Sequence, residues 1–131
     1  MGVARVRDPG LLLFGAGSLT TTATTRFLYP GRDDELARGT PTALVLSRDV
    51  VLSNLQVHVD APGTDATFVT YTVLVDGVPS ALVVNMLATA TTGLNTNQVP
   101  VSAGAEITLR VTKAAALTAR VRDVSATIEV F

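Results

Sequence analysis

Cysteine and tryptophan are absent from this chain, and two tyrosines and four phenylalanines supply all of its aromatic rings. Without cysteine there is no disulfide framework, no thiol nucleophile and no thiolate metal site, and the redox compartment is left open. A single histidine argues against a transition-metal centre, which draws most of its ligands from His and Cys. Charge is scarce as well: 16% of residues are charged, 10 basic against 11 acidic, for a formal net charge of −1. A near-neutral chain has no overall pull toward nucleic acid or an anionic membrane surface, so neither is expected as a partner. No run approaches the roughly 20 apolar residues of a spanning helix. The run Leu11–Phe14 is too short to span and too short for a signal-peptide core, and no small-residue cleavage site follows a basic start. No internal repeat is evident.

What is present is apolar residue in excess. Hydrophobic types make up 47% of the 131 residues, and mean hydropathy is +0.41. A lone domain in water normally carries more charge on its surface. With no spanning segment, this predicts burial of outer surface against copies of the chain or against a scaffold. The length fits one domain with its own core and no need of staples.

The chain divides by character near residue 40. Residues 1–40 read as an extended N-terminal arm that supplies the first strand of the body or lies on a neighbour. It holds Leu11, Leu12, Leu13 and Phe14, a Thr-rich stretch over Ser18–Thr25, Phe27 and Tyr29, a Pro30-Gly31 turn, and a polar loop over Arg32–Gly39 with one helical turn before its glycine. Residues 41–131 read as the β-sandwich domain. Leu55, Val57 and Val59 alternate with Gln56, His58 and Asp60, and Val69, Tyr71, Val73 and Val75 alternate with Phe68, Thr70, Thr72 and Leu74. Period 2 marks a strand with two unlike faces. Asp76-Gly77 between two apolar runs is the strongest short hairpin signal, and the return strand is placed at Ser80–Ala88. Thr89–Asn97 reads as a loop, Gln98–Val101 as a short strand, and Glu106–Lys113 alternates again. The last strands are placed at Leu117–Arg122 and Val124–Phe131. The expected fold is therefore all-β: an antiparallel sandwich of jelly-roll type with about eight strands, an immunoglobulin-like sandwich being the second choice.

Phe68, Leu74, Val83, Leu87 and Phe131 fall on faces that would otherwise be solvent. With Leu11, Leu12, Leu13, Phe14, Phe27 and Tyr29 they are the candidate interface residues, since exposed apolar patches mark interaction surfaces. A bulge that slips a face would return some of them to the core.

No enzyme site emerges, and no cofactor is expected. His58 has Asp60 two residues on and Ser53 nearby, but the spacing matches no nucleophile elbow, and Gly-x-Ser-x-Gly does not occur. Asp33-Asp34-Glu35 offers oxygen ligands without the spacing of a calcium loop. Asp60–Asp65 is explained by its turn residues. Gly15-Ala16-Gly17 lacks the Lys-Ser/Thr of a phosphate loop. Arg110, Arg120 and Arg122 suggest an arginine ladder, but no aromatics interleave with them as single-stranded nucleic acid requires. Cross-strand pairing with Glu106, Asp123 or Glu129 accounts for them more simply. Tyr29, Phe27 and Tyr71 are the rings a glycan could use, with Tyr71 expected to be buried.

Three phrases carry a resemblance: Leu52-Ser53-Asn54-Leu55-Gln56-Val57, then Tyr71-Thr72-Val73-Leu74-Val75-Asp76-Gly77-Val78, then Val101-Ser102-Ala103-Gly104-Ala105-Glu106-Ile107-Thr108-Leu109-Arg110-Val111-Thr112. Their order resembles the small β-sandwich proteins and domains encoded among the structural genes of tailed bacteriophages. In rhythm it is also similar to trimeric jelly rolls of the tumour-necrosis-factor and complement-like type. The likeness covers roughly residues 42–131 and consists of turn and strand signatures. Ala105 stands where related phrases often have Asp. No functional residue transfers, but the resemblance implies a virion structural role: a capsid decoration or minor capsid protein on the head surface, trimeric, contacting itself and the major capsid protein and stabilising the shell. The alternatives are a receptor- or glycan-binding fibre or tail domain, with the loops Ala61–Ala66 and Thr89–Asn97 as its recognition surface, or a non-viral bacterial surface or filament subunit. The absence of a shaft repeat within the 131 residues favours decoration over a fibre.

Overall fold

A computed structural model describes residues 10–19, 25–31, 37, 39, 41–117 and 119–131. These residues form ten strands: β1 (Gly10–Ser18), β2 (Thr25–Phe27), β3 (Tyr29–Pro30), β4 (Leu44–Val45), β5 (Val50–Ala61), β6 (Phe68–Val75), β7 (Val78–Leu87), β8 (Thr92–Val101), β9 (Glu106–Lys113) and β10 (Arg122–Val130). No helix occurs among the described residues. All pairings are antiparallel. The first sheet has the order β3-β1-β10-β5-β8, and the second β2-β9-β6-β7 with β4 also on β9.

If the minor strands β3 and β4 are set aside and the rest counted in chain order, the sheets read 1-8-3-6 and 2-7-4-5. Every connection but one crosses between sheets, and strands from the two ends of the chain lie side by side. That is the two-Greek-key path of a jelly roll. β1 is an integral strand: it pairs with β10 from Gly10↔Val130 to Ser18↔Arg122. β2 and β3 likewise pair into the sheets, so strands upstream of residue 40 belong to the sandwich.

Alternation dictates which side chains meet between the sheets. β1 sends in Phe14 and Ala16, β5 Leu52, Leu55, Val57 and Val59, and β10 Val124, Ala126 and Ile128; β6, β7 and β9 answer with Val69, Tyr71, Val73, Leu82, Val84, Met86, Ile107, Leu109 and Val111. Each fully buried aliphatic side chain of this kind contributes about 1.5–3 kcal/mol. One residue breaks the alternation. Asn54 has φ 52° and sits where β5 carries one residue more than β10 and β8 one more than β5. The bulge lets Leu52 and Leu55, three apart, both face the core. The Asn54 amide hydrogen-bonds Glu129 on β10.

The β6–β7 hairpin turns on Asp76 (φ 51°) and Gly77 (φ 79°). Two successive positive φ values define the type I′ turn that Asp-Gly favours. Asp76 also fastens the hairpin to the start of β9: its N–H donates to the Glu106 carbonyl and its Oδ1 accepts from the Glu106 N–H, both at 2.9 Å.

Three expectations are corrected. There are ten strands rather than eight, because β2, β3 and β4 are only two or three residues long, too short to show a period. Most of Thr89–Asn97 is not a loop: β8 starts at Thr92. Val99 and Val101 face the core from its C-terminal end, whereas Asn95 and Asn97 before them bond across the sandwich instead. Asn95 Nδ2 donates to the carbonyls of Val83 (2.8 Å) and Ala81 (3.3 Å) on β7, and Asn97 Nδ2 donates to that of Ala81 (3.0 Å). Finally, of the described residues in Leu117–Arg122 only Arg122, where β10 begins, is in a strand. Leu117 and Val121 are buried, and the Leu19 N–H donates to the Val121 carbonyl at 2.8 Å.

Candidate interaction face on the second sheet

On β9, Ile107, Leu109 and Val111 point into the core, so Glu106, Thr108, Arg110 and Thr112 point outward. Strand register then builds the outer face of the second sheet row by row. Phe68 lies directly opposite Leu87. The next row is Asn85–Thr70–Thr112–Thr25, with a 2.9 Å hydrogen bond from Thr70 Oγ1 to Asn85 Oδ1. Then come Val83–Thr72–Arg110–Phe27 and Pro79–Leu74–Thr108. Val45, opposite Glu106, extends the face along β4. Phe68 and Val45 are 48% and 66% exposed. Glu106 and Arg110 are the charges that β2, β6, β7 and β9 place on this face.

Five of the candidate interface residues therefore gather here: Phe27, Phe68, Leu74, Val83 and Leu87, drawn from β2, β6 and β7. Leu74 is buried. It floors a cleft of about 590 Å³ bounded by Thr25, Phe27, Pro41, Asp76, Gly77, Glu106, Thr108 and Arg110.

The remaining candidates lie elsewhere. Leu11 and Leu13 are exposed on the outer face of the first sheet; Tyr29, paired with Gly15, is partly buried and packs against the core. Phe14 is corrected: it is wholly buried in the core and offers nothing to a partner. Leu12 shares its inward side and is half-buried against the core. Phe131 is partly exposed at the end of the first sheet, held by reciprocal backbone bonds with Val51 (3.0 and 3.1 Å). It borders a second cleft, of about 570 Å³, with Val51 and Pro100. Sequence reasoning missed Val45, Leu94 and Val78, all exposed. Val45 lies in a two-residue strand and Leu94 in a segment read as loop.

The residues examined for chemistry are dispersed or open to water. His58 Nε2 meets Asp60 Oδ1 at 2.7 Å, with both side chains more than half exposed. Ser125 faces His58 across β10. Neither cleft described above includes them. Among the described residues no cluster of three or more His, Asp or Glu could hold a metal ion. Asp33, Asp34 and Glu35 lie outside the described residues. The arginine ladder does not form, because Arg110 is on β9 in the second sheet and Arg122 on β10 in the first. The two segments considered for recognition begin side by side: Val59 N–H donates to the Thr91 carbonyl and Gly63 N–H to that of Ala88, at 2.8 and 2.9 Å.

No protein-family model and no curated protein matches this chain.

Burial shifts two titratable groups among the described residues. Burial pushes the Tyr71 phenol far above its usual range. Burial and, next to it, the charge of Arg26 hold the Lys113 ammonium below the usual lysine range.

Proposed function

We propose that this chain is a self-associating structural subunit of a virion, of the capsid-decoration type: a homotrimer that binds the shell and stabilises it. The observation that carries the reading is the outer face of the second sheet. Phe27, Phe68, Val83, Leu87 and Val45 stand there among threonines, with little charge, on a chain whose core is already full. A face this apolar is stabilised by covering it with protein. Threonine suits such a contact, since it favours strands, carries no charge and leaves no ion to desolvate. The resemblance to phage structural sandwiches adds the virion setting.

The test is the mass of the purified chain by light scattering over a concentration series. The expected species has about three times the 13.6 kDa chain mass, and Phe68→Ser with Leu87→Ser should shift it toward monomer without loss of fold. A monomer at every concentration would remove the self-association reading.

A further inference from the structure

We propose that the cleft on the outer face of the second sheet receives a carboxylate, presented by an aspartate or glutamate side chain of a second copy of this chain. The inference rests on the self-association proposed above and names the chemistry of the contact.

Buried polar atoms in folded proteins are almost always paired, so an unpaired one calls for its missing partner. Two such atoms sit two residues apart on the same face of β9: Thr108 Oγ1 and Arg110 Nε, both buried and without a hydrogen-bond partner. Thr108 keeps only 7% of its surface, and both residues line the cleft. A guanidinium is a planar fork of donors matched to a carboxylate. A hydroxyl beside it supplies one more donor. Phe27 and Thr72 flank Arg110 in register, and Leu74 and Pro41 complete apolar walls that strengthen a charge-assisted bond by excluding water.

Two acidic residues at the other end of the cleft narrow the choice of ligand. Asp76 already accepts the Glu106 N–H, and Glu106 lies four residues from Arg110, roughly 13 Å along an extended strand. No ion pair joins Glu106 to Arg110 among the described residues. Both carboxylates repel a polyanion such as phosphate or nucleic acid, yet leave the Arg110 end open to one carboxylate. An acidic side chain of one copy entering the cleft of the next makes a head-to-tail contact, the kind that closes into rings and so suits a trimer. Covering the face with purely apolar surface would instead leave both polar atoms unpaired, at about 1–3 kcal/mol each.

The experiment compares the full chain with Arg110→Met, Thr108→Val and Phe68→Ser, by light scattering over a dilution series and by thermal melting. Arg110→Met should weaken self-association about thirtyfold or more, and Thr108→Val about fivefold. Neither should lower the melting temperature of the dissociated chain, because neither side chain gives up a partner there. Phe68→Ser should weaken association through lost apolar contact. Assembly of Arg110→Met at wild-type strength, with Phe68→Ser dissociated, would overturn the carboxylate contact and leave the face in place. A wild-type chain that stays monomeric, or Phe68→Ser and Arg110→Met both assembling normally, would overturn both readings. A melting temperature depressed in monomeric Arg110→Met would show that Arg110 already serves the fold, and would also overturn the inference. Normal assembly of Arg110→Met, together with a saturable butyrate-induced shift of the Arg110 Nε–H resonance, would assign the cleft to a free carboxylate and rule out the subunit contact.

Discussion

A Cβ placed on Gly93 would stand 2.4 Å from Val84 Cγ1, a separation no folded protein accommodates without movement. Gly93 is on β8 of the first sheet and Val84 on β7 of the second. The absent side chain is what lets the two edges close together. Met86 Sδ, 3.1 Å from the same point, blocks the nearby escape, and valine is stiff about χ1. Gly93→Ala should therefore destabilise the fold by about 1–3 kcal/mol, as overpacking does. Urea unfolding measures it; a midpoint equal to wild type would mean that the β7–β8 edge yields freely.

The same edge is sealed by Asn95. β7 ends the second sheet, and an unpaired edge invites another chain's strand. The Asn95 amide occupies the Val83 and Ala81 carbonyls. Asn95→Ala should cost about 1–2 kcal/mol and raise the tendency to aggregate on warming. Turbidity at matched fractions unfolded separates the two effects. Aggregation unchanged from wild type would mean that the edge is protected by something else.

Alkaline pH should expose the two buried groups with opposite signs. The Tyr71 pKa is raised by burial. Its contribution to stability is fully present below the unfolded value near 10 and is lost above it by about 1.4 kcal/mol per pH unit. The Lys113 pKa is lowered, by burial first and then by Arg26. Its unfavourable contribution holds at lower pH and is relieved as pH rises through the lowered pKa toward the unfolded value near 10.4. Tyr71→Phe should remove the fall above pH 10 and leave any rise below it. Urea unfolding of both proteins from pH 8 to 11 measures this; parallel curves throughout would contradict the assignment to Tyr71.

Much of the fold was legible where the signal is local. β9 coincides with the alternation of Glu106–Lys113, and the Asp76-Gly77 turn follows from two residues that tolerate positive φ. β8 was largely missed because Asn95 and Asn97 face inward to bond β7 carbonyls. That use of an inward position leaves no hydrophobic period to read. Leu11 to Phe14 read as one apolar patch, although Leu13 is partly exposed and Phe14 lies in the core. Only the sheets on either side of a strand say which parity is inside.

The sequence by itself determined that this chain is all-β, that alternating strands run through residues 55–60, 68–75, 106–113 and 124–130, and that apolar residues far outnumber charged ones. Composition, period and turn chemistry are properties of neighbours along the chain, and they act before any long-range contact exists. Only the tertiary structure decided the jelly-roll order, the closure at Gly93, and the meeting of Thr108 and Arg110 with Leu74, Phe27 and Pro41 around one cleft. Those residues come from separate strands and loops, and the register that brings them together is set by how two whole sheets bury their inner faces.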